Sequence, residues 1–192
     1  MTPLADLAFL LVAFFMLSAQ LESRNIPAVN LPEINGYPGC ILPETNRLTI
    51  LVSKEGKVFY QLNQEKKRAL TMSFLKQRGI QLSSQDREVL AKLDYFGMDI
   101  RQIPAYLKMS AMERKGFVQS GISIQAENNQ LSEWLQYIRI VEPRMQIDLE
   151  CDEGNKYPIV KQVLQILQAN GIHRFSIRAN LDYDIDATGN AN

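Results

Sequence analysis

Eleven consecutive residues near the start of the chain, Leu7 through Leu17, carry no polar side chain, and Asp6 stands directly before them. A run of this kind must be covered by lipid, by a partner or by the rest of the chain. Counted from Pro3 to Leu21 the stretch has 19 residues, enough to cross a bilayer core of about 30 Å as a helix. Pro3 suits a first helical turn, where its missing N–H costs nothing. Glu22 and Arg24 then bring charge back.

Asp6 narrows the reading further. A carboxylate at the centre of a membrane helix costs on the order of 2.5–3.5 kcal/mol, less near an end. Its helical neighbours Phe9, Leu10 and Ala13 are apolar, so any partner for it must come from another chain. Protonation would remove most of the burial penalty, which makes Asp6 a candidate proton carrier. Alternatively it rests at the headgroup boundary. A secretory leader is a second reading of the run, with Leu17-Ser18-Ala19 as a loose cleavage site. Against it, no Lys or Arg precedes the apolar core. A buried core helix is the third. Orientation cannot be read from charge, since no basic residue precedes the helix.

The rest of the 192 residues suffices for one soluble domain with a real core. Lys plus Arg and Asp plus Glu balance at 21 each, and no basic patch with interleaved aromatics points to nucleic acid. Cys40 and Cys151 are the two cysteines. Their separation fits neither a metal motif nor a CxxC redox motif. In an oxidising compartment they could pair; two unpaired thiols are the alternative.

Pro27, Pro32, Pro38 and Pro43, with Gly36 and Gly39, mark residues 22–46 as an extended linker. An α+β domain is expected over 47–181. Leu48, Ile50 and Val52 alternate with Thr49 and Ser53 around Leu51 and predict a strand, Lys54-Glu55-Gly56-Lys57 a turn, and Val58–Leu62 a return strand. A helical insertion is expected over about 66–122. In it, Ser84 precedes Val89, Leu90, Leu93 and Phe96 at helical spacing, Gly97 acts as a stop, and Ser110 with Glu113 fits a capping box. Leu131, Trp134, Leu135, Ile138 and Val141 share one helical face, which assigns Trp134 to core packing rather than partner contact.

The end of the chain is the clearest part. Met145, Ile147, Leu149 and Cys151 alternate with Gln146, Asp148, Glu150 and Asp152, predicting a strand with one buried face and its carboxylates in solvent. A helix follows, with Pro158 near its start, Val160, Val163, Leu164 and Leu167 on its apolar face, and Gly171 closing it. Phe175, Ile177, Ala179 and Leu181 predict another strand, giving a C-terminal β-α-β-like unit. Residues 182–192 are expected to be a disordered tail.

Little in the sequence points to catalysis or a cofactor. His173 is the single histidine, which leaves zinc ligation and a histidine-based triad without support. No phosphate loop, dinucleotide fingerprint or HExxH occurs. Asp182-Tyr183-Asp184-Ile185-Asp186 imitates the start of a calcium loop, but Ala187 stands where the turn needs glycine. Glu150, Asp152 and Glu153 could form a hydrolytic carboxylate pair, but they cluster at a strand end and are read as solvent-facing. No enzyme, metal or cofactor is expected.

Three motifs resemble one family. Met1-Thr2-Pro3-Leu4-Ala5-Asp6, with Phe9 in the helix that follows, is similar to the transmembrane signature of ExbD/TolR proteins. Val29-Asn30-Leu31-Pro32 resembles their V-x-L-P linker motif. Tyr157-Pro158-Ile159-Val160-Lys161-Gln162-Val163 with Gly171-Ile172 resembles their last helix and turn. The resemblance implies one N-terminal transmembrane helix, residues 1–21, and a periplasmic α+β domain held at the inner membrane. It implies a subunit of a proton-driven motor that energises outer-membrane transport, with the matching aspartate, Asp6, carrying protons. Partners would be a second copy of the chain, the lipid bilayer, a multi-span ExbB/TolQ-like protein and a TonB/TolA-like protein. The family places a short basic tail before its M-T-P motif, so the native start is expected upstream of Met1 or at another codon. Residues 66–122 exceed what the compact family domain needs, which favours a larger ExbD-like variant over a TolR-like envelope-maintenance subunit. The competing reading is a periplasmic binding domain with a cleaved leader, beginning near Gln20.

Overall fold

The computed structural model describes residues 3–18, 29–35, 46–62, 64–178 and 180–182. Helix α1 (Pro3–Ser18) is followed by strands β1 (Glu33–Asn35), β2 (Arg47–Val52) and β3 (Val58–Gln61). Helices α2 (Glu65–Gln77) and α3 (Ser84–Ala91) lead to strand β4 (Tyr95–Phe96) and a 3-10 turn at Ile100–Gln102. Helices α4 (Ile103–Lys108) and α5 (Ala111–Gly116) come next, then a short hairpin of β5 (Ile124–Gln125) and β6 (Asn128–Asn129). Helix α6 (Gln130–Val141), strand β7 (Gln146–Cys151), helix α7 (Tyr157–Ala169) and strands β8 (Phe175–Arg178) and β9 (Asn180–Asp182) complete the chain.

The expected α+β architecture is present, built on a mixed sheet ordered β4-β3-β2-β7-β8. β2 and β3 form the expected antiparallel hairpin, and β2, β7 and β8 run parallel. β7-α7-β8 is the expected β-α-β unit, since parallel neighbours require a crossover. Gly56 turns the β2–β3 hairpin with φ +79°, and an added Cβ there would land on Ile159 Cδ1. Gly171 closes α7 with φ +71°.

One core spans the domain. Trp134 on α6 is 2 % exposed and tilts over Phe74 on α2, with ring centroids 3.8 Å apart. Tyr60 and Phe96 flank it at 5.1 and 5.8 Å, and the Tyr60 hydroxyl bonds Thr71 Oγ1. Residues from the stretch 66–122 enter this same core, among them Leu70, Leu90, Met98 and Ile103, and β4 joins the sheet. That stretch is therefore woven into the domain and is not an appendage to it.

Several expectations are corrected. All six residues of β2 are buried, because a central strand is covered on both faces and shows no alternation. β7 likewise buries Asp148 along with Ile147 and Leu149. The helix expected from Ser84 to Gly97 stops at Ala91, and Phe96 lies in a strand paired with Tyr60. Its cap is Ser83, in a capping box with Asp86; the Ser110–Glu113 box is present as expected. Val141 is exposed at the end of α6. Ile177 on β8 is exposed too, because β8 closes the edge of the sheet. A three-residue strand, β1, sits within the expected linker and pairs in parallel with β9, Glu33 opposite Asn180. Asp182, expected to open the disordered tail, ends β9 instead; 183–192 lie outside the described residues.

At the N-terminus, α1 has 16 residues, about 24 Å at 1.5 Å per residue. Among the described residues no helix is long and apolar enough to cross a membrane; residues 19–21 of the expected span lie outside them.

Candidate functional site

The described part of α1 carries an apolar surface. Leu7, Phe9, Leu10, Leu11, Val12 and Phe14 are each between 54 % and 73 % exposed. The backbone at Pro3 and Asp6 is helical; Thr2 lies outside the described residues.

The linker motif, by contrast, is fastened to the domain. The Asn30 N–H donates to Asp152 Oδ2 at 2.9 Å. In return the Glu153 N–H donates to the Asn30 carbonyl at 2.8 Å. Asp152 is presented by the end of β7, where its own N–H bonds the Val52 carbonyl at 3.0 Å. Its second oxygen accepts the Gly154 N–H at 2.9 Å, an Asx turn of the kind Asp favours before a tight reversal. Asn155 adds a bond from Nδ2 to the Ser53 carbonyl at 2.7 Å. Asn30 is exposed, and Leu31 and Pro32 are half-buried beside it. Two residues past Leu31, at Glu33, β1 begins its pairing with β9. The linker thus meets the domain twice, at Asp152 and at β9.

A second polar group lies at the middle of the sheet. Asp148 is 0 % exposed, and both its oxygens accept from Arg47 Nη1 at 2.9 Å. Its Oδ2 also accepts from Arg178 Nε at 3.1 Å, and Arg178 Nη2 stands 3.0 Å away. Arg178 Nη1 reaches Glu150 Oε1 at 3.4 Å. Two guanidinium groups and two carboxylates on β2, β7 and β8 thereby balance one another. Burial holds the Glu150 carboxyl above the usual carboxylate range; Arg178 opposes that shift and Asp148 adds to it. Burial also raises the neighbouring Tyr95 hydroxyl, with Glu150 and Asp94 contributing. Arg178 ends β8, directly before the segment that carries β9, so the same network anchors the strand on which β1 docks.

Sequence reasoning singles out Asn30 but misses its partner Asp152 and the whole Asp148 group, because it places Asp148, Glu150 and Asp152 in solvent. The Asp-x-Gly turn at 152–154 was a usable signal, because such an aspartate normally bonds nearby backbone. Asp148 gave no local signal; its partners are 101 and 30 residues away.

The other expected residues fall outside these groups. Cys151, at the end of β7, is half-buried, and burial pushes its thiol up to about 11; Cys40 lies outside the described residues. His173 is exposed. Among the described residues no group of three or more His, Cys, Asp or Glu is placed to hold a metal. Two open recesses of 690 and 700 Å³ lie side by side along 69–114, sharing Gln81 and Leu82. In chemical terms the site fastens and stitches: it binds a linker to a sheet and the sheet to itself.

Comparison with known proteins gives one positive result. The family described as Biopolymer transport protein ExbD/TolR matches residues 1–181, which takes in α1, the linker and the domain through Leu181. No curated protein and no solved structure matches the chain.

Proposed function

The chain belongs to the ExbD/TolR family of biopolymer transport proteins, and from that membership we propose that it is a subunit of an inner-membrane proton-driven motor. Members of the family are transport proteins of the inner membrane that work with ExbB/TolQ-type and TonB/TolA-type partners. In this reading the apolar stretch from Pro3 to Leu21 anchors the chain, Asp6 carries protons, and the domain over 47–181 stands in the periplasm. A second copy and an ExbB/TolQ-like ring surround the helix; a TonB/TolA-like protein takes up the motion. The ExbD-like branch is favoured because the stretch 66–122 enlarges the domain.

The observation that carries the proposal is that Asp6 stands in the sequence directly before an apolar run whose described side chains, Leu7 to Phe14, are largely exposed, in a chain matched over residues 1–181. Such a surface needs lipid or protein around it, and a carboxylate in such a helix is useful where protons cross. Each charge moving through the membrane potential is worth about 2.3 kcal/mol per 100 mV, so repeated protonation of Asp6 is a source of work.

Asp6→Asn is the test. The variant is expected to remain in the membrane fraction at wild-type level and to abolish energy-dependent uptake through the outer membrane. Full uptake by the variant would remove the proton-carrier role. Intact mass separates the anchor from a cleaved leader, because a chain cut near Ala19 loses Asp6 altogether.

A further inference from the structure

The linker motif meets the domain through a reciprocal pair of hydrogen bonds at Asn30. Residues 29–35 meet the end of β7 through the Asn30 N–H on Asp152 Oδ2 and the Glu153 N–H on the Asn30 carbonyl. The first is a charge-assisted bond, of the stronger class. Asp152 is 5 % exposed, so water competes weakly for its carboxylate. Its position is fixed from three sides: by the Val52 carbonyl through its N–H, by Gly154 through Oδ1, and by the Asn155 N–H on its own carbonyl at 3.0 Å.

We infer that Asp152 is a positioning residue: its carboxylate clasps the linker at Asn30 and is the point where displacement of the N-terminal helix enters the sheet. The geometry favours this point over the β1–β9 pair. The clasp precedes β1 in the chain, so tension arriving from the N-terminal side meets it first. From Asp152 the connection runs into β7 and from there to β2, its full-length parallel neighbour in the centre of the sheet. β9 leads only to the edge strand β8. A force taken up at Asp152 is thus spread over the core, whereas one taken up at β9 falls on the sheet margin. The clasp itself stands on the hydrogen bonds alone; its part in transmission rests on the motor reading above.

Two variants of the full-length, membrane-held chain test it by amide hydrogen exchange and by energised uptake. Asp152→Asn keeps an oxygen for Gly154 but turns an N–H₂ group towards the Asn30 N–H. Asn30→Pro removes that N–H and leaves the domain untouched. Both are expected to speed exchange at Glu153 by about tenfold or more, with α7 and β2 exchanging as in the wild type, and to lower uptake. Exchange at Glu153 unchanged in both variants overturns the clasp. A linker released in this way with uptake undiminished, where Asp6→Asn abolishes it, overturns the transmission role. Should Asp6→Asn leave uptake intact, the motor reading falls, and Glu153 exchange alone still decides the clasp.

Discussion

Asp148 is the residue on which most of the buried charge depends. Taking one partner from a buried ion pair leaves the other uncompensated and typically costs about 3–5 kcal/mol. Asp148→Ala would leave Arg47 buried with no carboxylate beside it, while Arg178 is partly in solvent. The expected loss is therefore near the lower end, about 3 kcal/mol, read as a lower urea midpoint; a loss under about 1 kcal/mol would count against the network as a stabilising unit. Glu150 sets a pH dependence of definite sign. Its carboxyl is held above its ordinary value, so between the unfolded and folded pKa values the folded chain holds a proton that the unfolded chain has released. Its stabilising contribution is full below the unfolded value and is lost as pH rises through the folded value. Glu150→Gln, which does not titrate, should gain stability relative to the wild type between pH 4 and pH 7. Urea unfolding at the two pH values checks this, and a relative gain on acidification would refute it. Neither residue was legible in the sequence, because alternation along β7 assigns one face to solvent and says nothing of a strand covered on both sides.

At the scale of elements, what was legible is what local chemistry decides. The Ser110–Glu113 box, the hairpin glycine at 56, the proline near the start of α7 and the glycine after it all act within a few residues of themselves. The helix-period stripe on α6 located Leu131, Trp134, Leu135 and Ile138 for the same reason. Misplaced pieces depend on distant partners: Phe96 is a strand residue only because Tyr60 is there to pair with it, and β1 exists only against β9. The cap of α3 was off by one residue, since Ser83 and Ser84 are equivalent until the reach to Asp86 is known. There the Ser83 hydroxyl accepts the Asp86 N–H at 3.1 Å, and the Ser83 N–H donates to the Asp86 carboxylate at 2.8 Å. Ser83→Ala should cost about 1 kcal/mol, while Ser84→Ala, inside the helix, should change stability by a few tenths of a kcal/mol at most. Equal effects in thermal unfolding would return the cap to Ser84.

For the whole molecule the central question is how the N-terminal helix and the domain share the work. Among the described residues the buried core draws its members from Leu48 to Ile172 and takes none from α1, and the side chains described on α1 are largely exposed. In a folded domain, stability follows buried apolar surface, so the domain should stand without its helix. A chain beginning at Val29 is expected to leave the membrane fraction, unfold in one cooperative step and keep the full-length unfolding free energy in urea to within about 0.5 kcal/mol. It retains the Asn30–Asp152 clasp and the β1–β9 pair. Beginning instead at Asn46 removes both, and should expose the margin at β8 and lower the midpoint further. A shift confined to the second truncation would assign the connecting segment to the domain's own stability. A large shift already in the first would mean that α1 packs on the domain, and the helix could not then be reserved for lipid and partner subunits.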